Sequence, residues 1–204
     1  MKTRDRILEC ALTLFNDQGE SNVSILEIAN QLDISPGNLY YHFHGKEPII
    51  LELFERFREE LAPLLDPPAG VLLTIDDYWL FLNLVVERLA QYRFFFHDLS
   101  NLAVRLPRLA RGVRNWLNQL KRTLASMLAQ LKAKGLLVSD TQALGQLVEQ
   151  ISLTLLFSLD YQRILGDRAE VRLVVYQVLM LVTPHLKADA RQDTEALVQK
   201  LLHS

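Results

Sequence analysis

Residues 24–54 read S-I-L-E-I-A-N-Q-L-D-I-S-P-G-N-L-Y-Y-H-F-H-G-K-E-P-I-I-L-E-L-F, and the way this stretch breaks into helices decides the fold. Ser24 followed three residues later by Glu27 is a capping box, in which each side chain satisfies a backbone N–H at the helix start. It opens a short helix over Ile25–Leu32, with Ile25, Ile28, Ala29 and Leu32 inward. Only Asp33-Ile34 separates it from Ser35-Pro36, an N-cap with proline at the first helical position. A third helix follows from Pro36 to about Phe43, then Gly45 and a longer helix from about Lys46 to Leu61. Short helix, tight turn, short helix is the spacing of a helix-turn-helix.

Working outward, Ile7, Leu8, Ala11, Leu12, Leu14 and Phe15 mark a first helix over 3–17, with Gly19 where a helix stop is expected. Pro63, Pro67, Pro68 and Gly70 mark a break near 62–74, which divides the chain into 1–61 and 62–204. Beyond it the apolar spacing predicts helices near 75–90, 92–105, 107–134, 140–165, 168–187 and 190–202. No alternating strand pattern occurs, so the expected class is all-α. Residues 143–165 are apolar on most sides, which calls for cover on two faces. That points to a second subunit against 140–187, with Leu144, Leu147, Val148, Ile151, Leu155, Val175, Val178, Leu179 and Val182 as the seam; the competing account is that they fill the monomer core.

Composition narrows the function classes. Half of the 204 residues are hydrophobic and Cys10 is the single cysteine, so neither an intramolecular disulfide nor a cysteine-rich zinc site can form. His42 and His44 sit two apart on one helix, which points their rings in nearly opposite directions and argues against a metal pair. There is no Gly-rich phosphate loop, H-E-x-x-H or G-x-S-x-G, so no enzyme motif and no cofactor is expected. Charges alternate with apolar residues from Lys2 to Glu9 and no uncharged run is long enough to span a bilayer; a cytoplasmic chain without a membrane partner is expected. Net charge is −2, and the first 60 residues carry six Lys/Arg against eleven Asp/Glu. Any contact to DNA must therefore rest on a small local patch.

The opening R-D-R-I-L-E-C-A-L-T-L-F, then Gly19, S-I-L-E-I-A-N-Q-L-D-I-S-P-G-N-L-Y-Y-H-F and G-K-E-P-I-I resemble the DNA-binding domain of TetR-family transcriptional regulators over residues 4–55. Residues 62–204 are similar to that family only in size and helical pattern. The resemblance implies a bacterial homodimer that docks its third helix in the major groove of an operator. It also implies a C-terminal domain that binds a small apolar effector and releases the DNA, most relatives being repressors.

The residues themselves support a DNA surface at the head of the third helix. Gly37 lets the backbone approach, and Asn38 can donate to and accept from a base edge. Tyr40 and Tyr41 offer hydroxyls for phosphates and ring faces for thymine methyls, and His42 can donate to a phosphate. Ser24 and Ser35 head helices, a position that favours anions. Lys46 is a point charge for the backbone, and Lys2 and Arg4 could supply an N-terminal contact. Leu39 and Phe43, four apart, are core. In the C-terminal part, Trp79, Phe96, His97, Trp116, Ser152 and Phe157 are the candidates for lining a ligand pocket, an apolar space with a few polar groups. A helical protein-interaction module without specific DNA binding is the alternative, kept open by the acidic N-terminal balance.

Overall fold

A computed structural model describes residues 2–66, 74–166 and 170–203. Among these the chain forms eleven α-helices and no strand: α1 (Thr3–Gln18), α2 (Ile25–Gln31), α3 (Pro36–His42), α4 (Lys46–Leu65), α5 (Ile75–Gln91), α6 (Phe94–His97), α7 (Leu99–Arg105), α8 (Pro107–Ala133), α9 (Thr141–Ile164), α10 (Val171–Val182) and α11 (Ala188–His203). They fall into two compact units.

The first unit comprises residues up to Glu60 together with Tyr92–Val113. The second segment is one that the sequence reading assigns to the C-terminal region. The core of this unit buries Ile7, Leu8, Ala11 and Phe15 of α1, Ile28 and Ala29 of α2, Leu39 of α3 and Ile49, Ile50, Leu53 and Phe57 of α4, and α2 packs against both α1 and α3. Leu39 and Phe43 are both buried, as their spacing predicts. Caps fix the ends. Ser24 N–H donates to Glu27 Oε2 at 2.6 Å and Glu27 N–H to Ser24 Oγ at 3.2 Å, completing the capping box. These hydrogen bonds from Ser24, backbone first, hold the Glu27 carboxyl below its ordinary value. The box thus contributes above the ordinary carboxylate range and weakens as acid protonates Glu27. Ser35 Oγ accepts from Asn38 N–H at 3.1 Å.

The α2–α3 turn is a Schellman motif built on an aspartate. Asp33 sits at φ 54°, Asp33 N–H donates to Asn30 O and Ile34 N–H to Ala29 O. A short polar side chain tolerates this left-handed conformation better than a branched one. Gly19 (φ 84°) and Gly45 (φ 110°), at the ends of α1 and α3, adopt positive φ that an L side chain rarely takes.

The aromatic core of this unit lies under α4 and α6. Phe57 packs its ring 5.5 Å from Tyr92, 5.8 Å from Phe96 and 5.9 Å from Phe54, centroid to centroid, and Phe95 lies 5.7 Å from Phe54. The predicted 92–105 helix is interrupted at Asp98 (φ −132°, ψ 30°), so α6 and α7 are separate. Aspartate favours helix starts over helix interiors, and Asp98 O receives the first bond of α7, from Leu102 N–H at 2.9 Å.

The second unit comprises Leu61–Gln91 and everything from Arg114 on. Here α10 packs against α9 and α5. Along α8, Leu120, Leu124, Leu128 and Leu131 are buried on one side. An antiparallel backbone bridge ties the loop after α8 to the loop before α11, with Val138 N–H donating to His185 O and Lys187 N–H to Leu136 O.

Three expectations change. Pro63 does not end a helix: α4 runs through it to Leu65, since proline's fixed φ is itself helical and only two residues follow the one backbone bond it forfeits. Pro67, Pro68 and Gly70 lie outside the described residues. The segment read as 168–187 is shorter, since α10 begins at Val171 and gives way to a 3₁₀ turn, Thr183–His185, around Pro184; residues 168 and 169 are outside the described set.

The third change concerns the seam. Leu147, Val148, Ile151, Leu155, Val175 and Val178 are buried within the single chain, so they fill the core of this unit. Leu144, Leu179 and Val182 are half-buried. The opposite face of α9 instead exposes Leu153, Phe157 and Tyr161, and Ile164 and Leu165 continue it. Spacings of four, four and three or four residues put these five on one stripe.

Candidate nucleic-acid interface

α3 separates its residues by face. Leu39 and Phe43 turn inward, while Gly37 and Asn38 are exposed at its head and Tyr40 and Tyr41 are 57% and 81% exposed. Tyr40 packs edge-on to His44 at 4.8 Å and Tyr41 to His42 at 5.3 Å, so each ring is steadied by an imidazole. His42 itself is half-buried. Ser24 and Ser35 are exposed, and each hydroxyl oxygen already accepts from a backbone N–H. Their O–H protons remain available to an acceptor.

The cations predicted to reach a phosphate are placed differently. Lys46 Nζ donates to Glu20 O at 2.7 Å and lies 3.0 Å from Glu20 Oε1. Glu20 is buried, and its other carboxylate oxygen accepts from Arg105. Arg4 pairs with Glu52, and its guanidinium lies 4.7 Å above the Phe43 ring. Arg56 donates to Asp5 at 2.5 Å. These bonds clamp α1 and α4 around the helix-turn-helix, and Lys2 remains exposed at the head of α1. The Glu20 clamp escaped sequence reasoning, because its partners lie 26 and 85 residues away.

Segment 92–105 adds two further ties. Arg93 pairs with Asp17 at 3.0 Å, and Phe94 N–H donates to Asn16 Oδ1 at 3.1 Å.

The six residues predicted to line a pocket are not brought together. A cavity of about 70 Å³ in the second unit lies between α5, α8, α9, α10 and α11, lined by Tyr78, Trp79, Phe81, Leu82, Leu124, Met127, Leu128, Leu131, Ile151, Val178, Leu179, Val182, Leu186 and Thr194. Of the six, Trp79 is there. Phe96 and His97 belong to the first unit, where Phe96 packs on Phe57. Trp116 is buried away from the cavity, Ser152 donates to Val148 O at 2.7 Å, and Phe157 is on the exposed stripe. Burial, with a smaller contribution from Asp77, pushes the Tyr78 phenol above its ordinary value, so it keeps its proton at neutral pH. Among the described residues no cluster of His, Cys, Asp or Glu could hold a metal, and no helix is long and apolar enough to cross a membrane.

A capped helix-turn-helix with a polar, exposed second helix on an otherwise helical chain defines the class of helix-turn-helix regulators. Residues 7–53 match the family model described as bacterial regulatory proteins, tetR family, and residues 56–194 match that described as bacterial transcriptional repressor. The chain belongs to the TetR family of bacterial transcriptional regulators. It is similar to a TetR-family transcriptional regulator from Marinobacter aquaeolei VT8, at 34% identity over 98% of this chain and 99% of that one, with a TM-score of 0.90. It is 32% identical over 105 residues to the probable HTH-type transcriptional regulator YttP of Bacillus subtilis (strain 168), covering 52% of this chain and 50% of YttP. The chain matches half or less of the length of the curated relatives. The SmeT–triclosan complex shares the fold, with a TM-score of 0.65 at 16% identity over 92% of this chain and 93% of that one.

Proposed function

We propose that the chain is a ligand-responsive repressor that binds a double-stranded operator as a homodimer and is released by a small, mainly apolar effector. The observation that carries the DNA side is the exposed row Gly37, Asn38, Tyr40 and Tyr41 on α3, backed by a buried Leu39 and Phe43. Asn38 reads a base edge and the two tyrosines and His42 engage phosphates or thymine methyls. Ser24 and Ser35 donate their hydroxyl protons to phosphates. Lys2 supplies charge from the N-terminus. Lys46 and Arg4 reach a phosphate only by exchanging Glu20 and Glu52 for it, so their first role is to hold the helices in place.

The exposed α9 stripe supports the dimer, within the 140–187 segment. Two copies then present two α3 helices to successive major grooves, about 34–36 Å apart. The ligand acts by binding one spacing more tightly than another, since equal affinity for both shifts nothing.

The test starts from DNA selected out of a random pool by the purified chain. Asn38→Ala is expected to lower affinity for the selected site by about ten- to a hundredfold and to relax base preference at one position, the range for one bidentate base contact. Tyr41→Ala should weaken all sites alike. Selection that enriches no sequence would overturn the reading in favour of a protein-interaction module.

A further inference from the structure

We infer that the cavity of the second unit takes an uncharged, largely apolar molecule carrying one hydrogen-bond acceptor, such as a ketone, ester or ether, and rejects carboxylates and ammonium ions. This deepens the proposed ligand response and rests on it. The lining holds no charged side chain: Phe81, Leu124, Met127, Leu131 and Val178 are typical of it, and its one aliphatic hydroxyl, Thr194, already donates to Ala190 O at 2.8 Å. An ion moved there would lose its hydration with no counter-charge in return, a loss far larger than apolar contact can offset. The acceptor requirement comes from two neighbouring residues of α5. Trp79 Nε1 and Tyr78 Oη are buried polar atoms without a hydrogen-bond partner in the structure, and both residues line the cavity. An indole N–H can only donate, and a phenol that stays protonated donates as well. Neither atom is exposed to the space as it stands, so an acceptor reaches one only as the walls yield; a buried donor left unmade is costly, and that contact then gains more here than in water.

Size adds a second constraint. At about 70 Å³ the space is about half the roughly 150 Å³ that holds benzene in an apolar cavity, so a molecule of that size must move the walls. Unbranched Met127 is the lining side chain best able to yield.

Four small probes of similar shape separate the alternatives: acetophenone, ethylbenzene, benzoate and benzylammonium. Each is titrated calorimetrically into the full chain at pH 7, with the shift in melting temperature as a second readout. Acetophenone is expected to bind about fivefold tighter than ethylbenzene, the order of one net hydrogen bond, and at least about tenfold tighter than either ion. Trp79→Phe, which keeps an aromatic ring and removes the donor, should bring acetophenone down towards ethylbenzene while leaving ethylbenzene unchanged. Val178→Phe, which fills the space, should abolish binding of both neutral probes. Binding of benzoate or benzylammonium as tight as that of acetophenone overturns the inference, as does the absence of binding by all four. Operator binding is measured separately without probe: if it persists while no probe binds, the ligand class fails and the regulator reading stands. If it is absent while acetophenone binds with the stated preference, the regulator reading fails and the cavity's chemistry holds.

Discussion

Phe57→Ala is expected to lower stability by about 3–5 kcal/mol, the usual cost of emptying a large aromatic site in a packed core. Phe57 is fully buried, and its ring meets those of Phe54, Tyr92, Phe95 and Phe96 at centroid distances of 5.5 to 6.5 Å. Each such pair adds to simple area burial, so truncation removes several favourable contacts together and leaves a void that the four surrounding rings cannot close. Set against the roughly 5–15 kcal/mol that holds most domains folded, this is a large fraction. Two compact units can unfold in separate steps, so a single midpoint is not the right readout. Native-state hydrogen exchange of the α4 amides localises the loss to the first unit. The exposed Tyr41→Ala variant serves as the internal reference and should change stability by less than about 0.5 kcal/mol. A loss below about 1 kcal/mol for Phe57→Ala would mean that the aromatic cluster is not the core described.

The second large effect is on assembly. Phe157→Glu is expected to convert the proposed dimer into a monomer of 23.5 kDa, read by light scattering at micromolar concentration. Phe157 is 47% exposed at the middle of the stripe running from Leu153 to Leu165, on a helix whose other side is buried. A large aromatic at the centre of an apolar interface commonly accounts for 2 kcal/mol or more of binding, on the order of thirtyfold in Kd. In a two-fold interface the substitution enters twice, which takes the loss to about a thousandfold. Glutamate adds the desolvation of two carboxylates. Its fold should be unaffected, because the position faces water in the single chain. A wild-type chain that is already monomeric at this concentration removes the dimer from the proposal.

Local signals carried most of what the sequence reveals. Ser24 with Glu27, and Ser35 with Pro36, fix the starts of α2 and α3 through atoms no more than three residues apart, so they are legible in one dimension. Leu39 and Phe43 divide α3 into faces by spacing alone. What stayed hidden depends on distance along the chain or on competition between equal faces. Ile151 and Leu155 are as apolar as Leu153 and Phe157, and α9 carries both sets; only the packing of α5 and α10 decides which is covered. Pro63 reads as a stop, but its effect depends on how near the helix end lies. The pairing of Lys46 with Glu20, and of Arg4 with Glu52, takes two cations that sequence logic sends to DNA and gives them to neighbouring helices. Pocket residues were hardest, because Trp79 shares the cavity with Met127, Val178 and Thr194 from three other helices, and no spacing rule links them.

That internal pairing of cations has a thermodynamic consequence for the proposed operator complex. Of the six Lys and Arg in the first 60 residues, four are matched to carboxylates: Arg4 to Glu52, Lys46 to Glu20, Arg56 to Asp5 and Arg58 to Glu55. A cation new to the phosphates liberates condensed counterions, giving a slope of about −0.9 in log affinity against log salt for each phosphate neutralised. A cation already held by a carboxylate gains less by the exchange. Operator affinity should therefore fall more gently with added salt than the count of phosphate contacts implies, and selectivity over random DNA should survive at ionic strengths that strip more basic regulators from their sites.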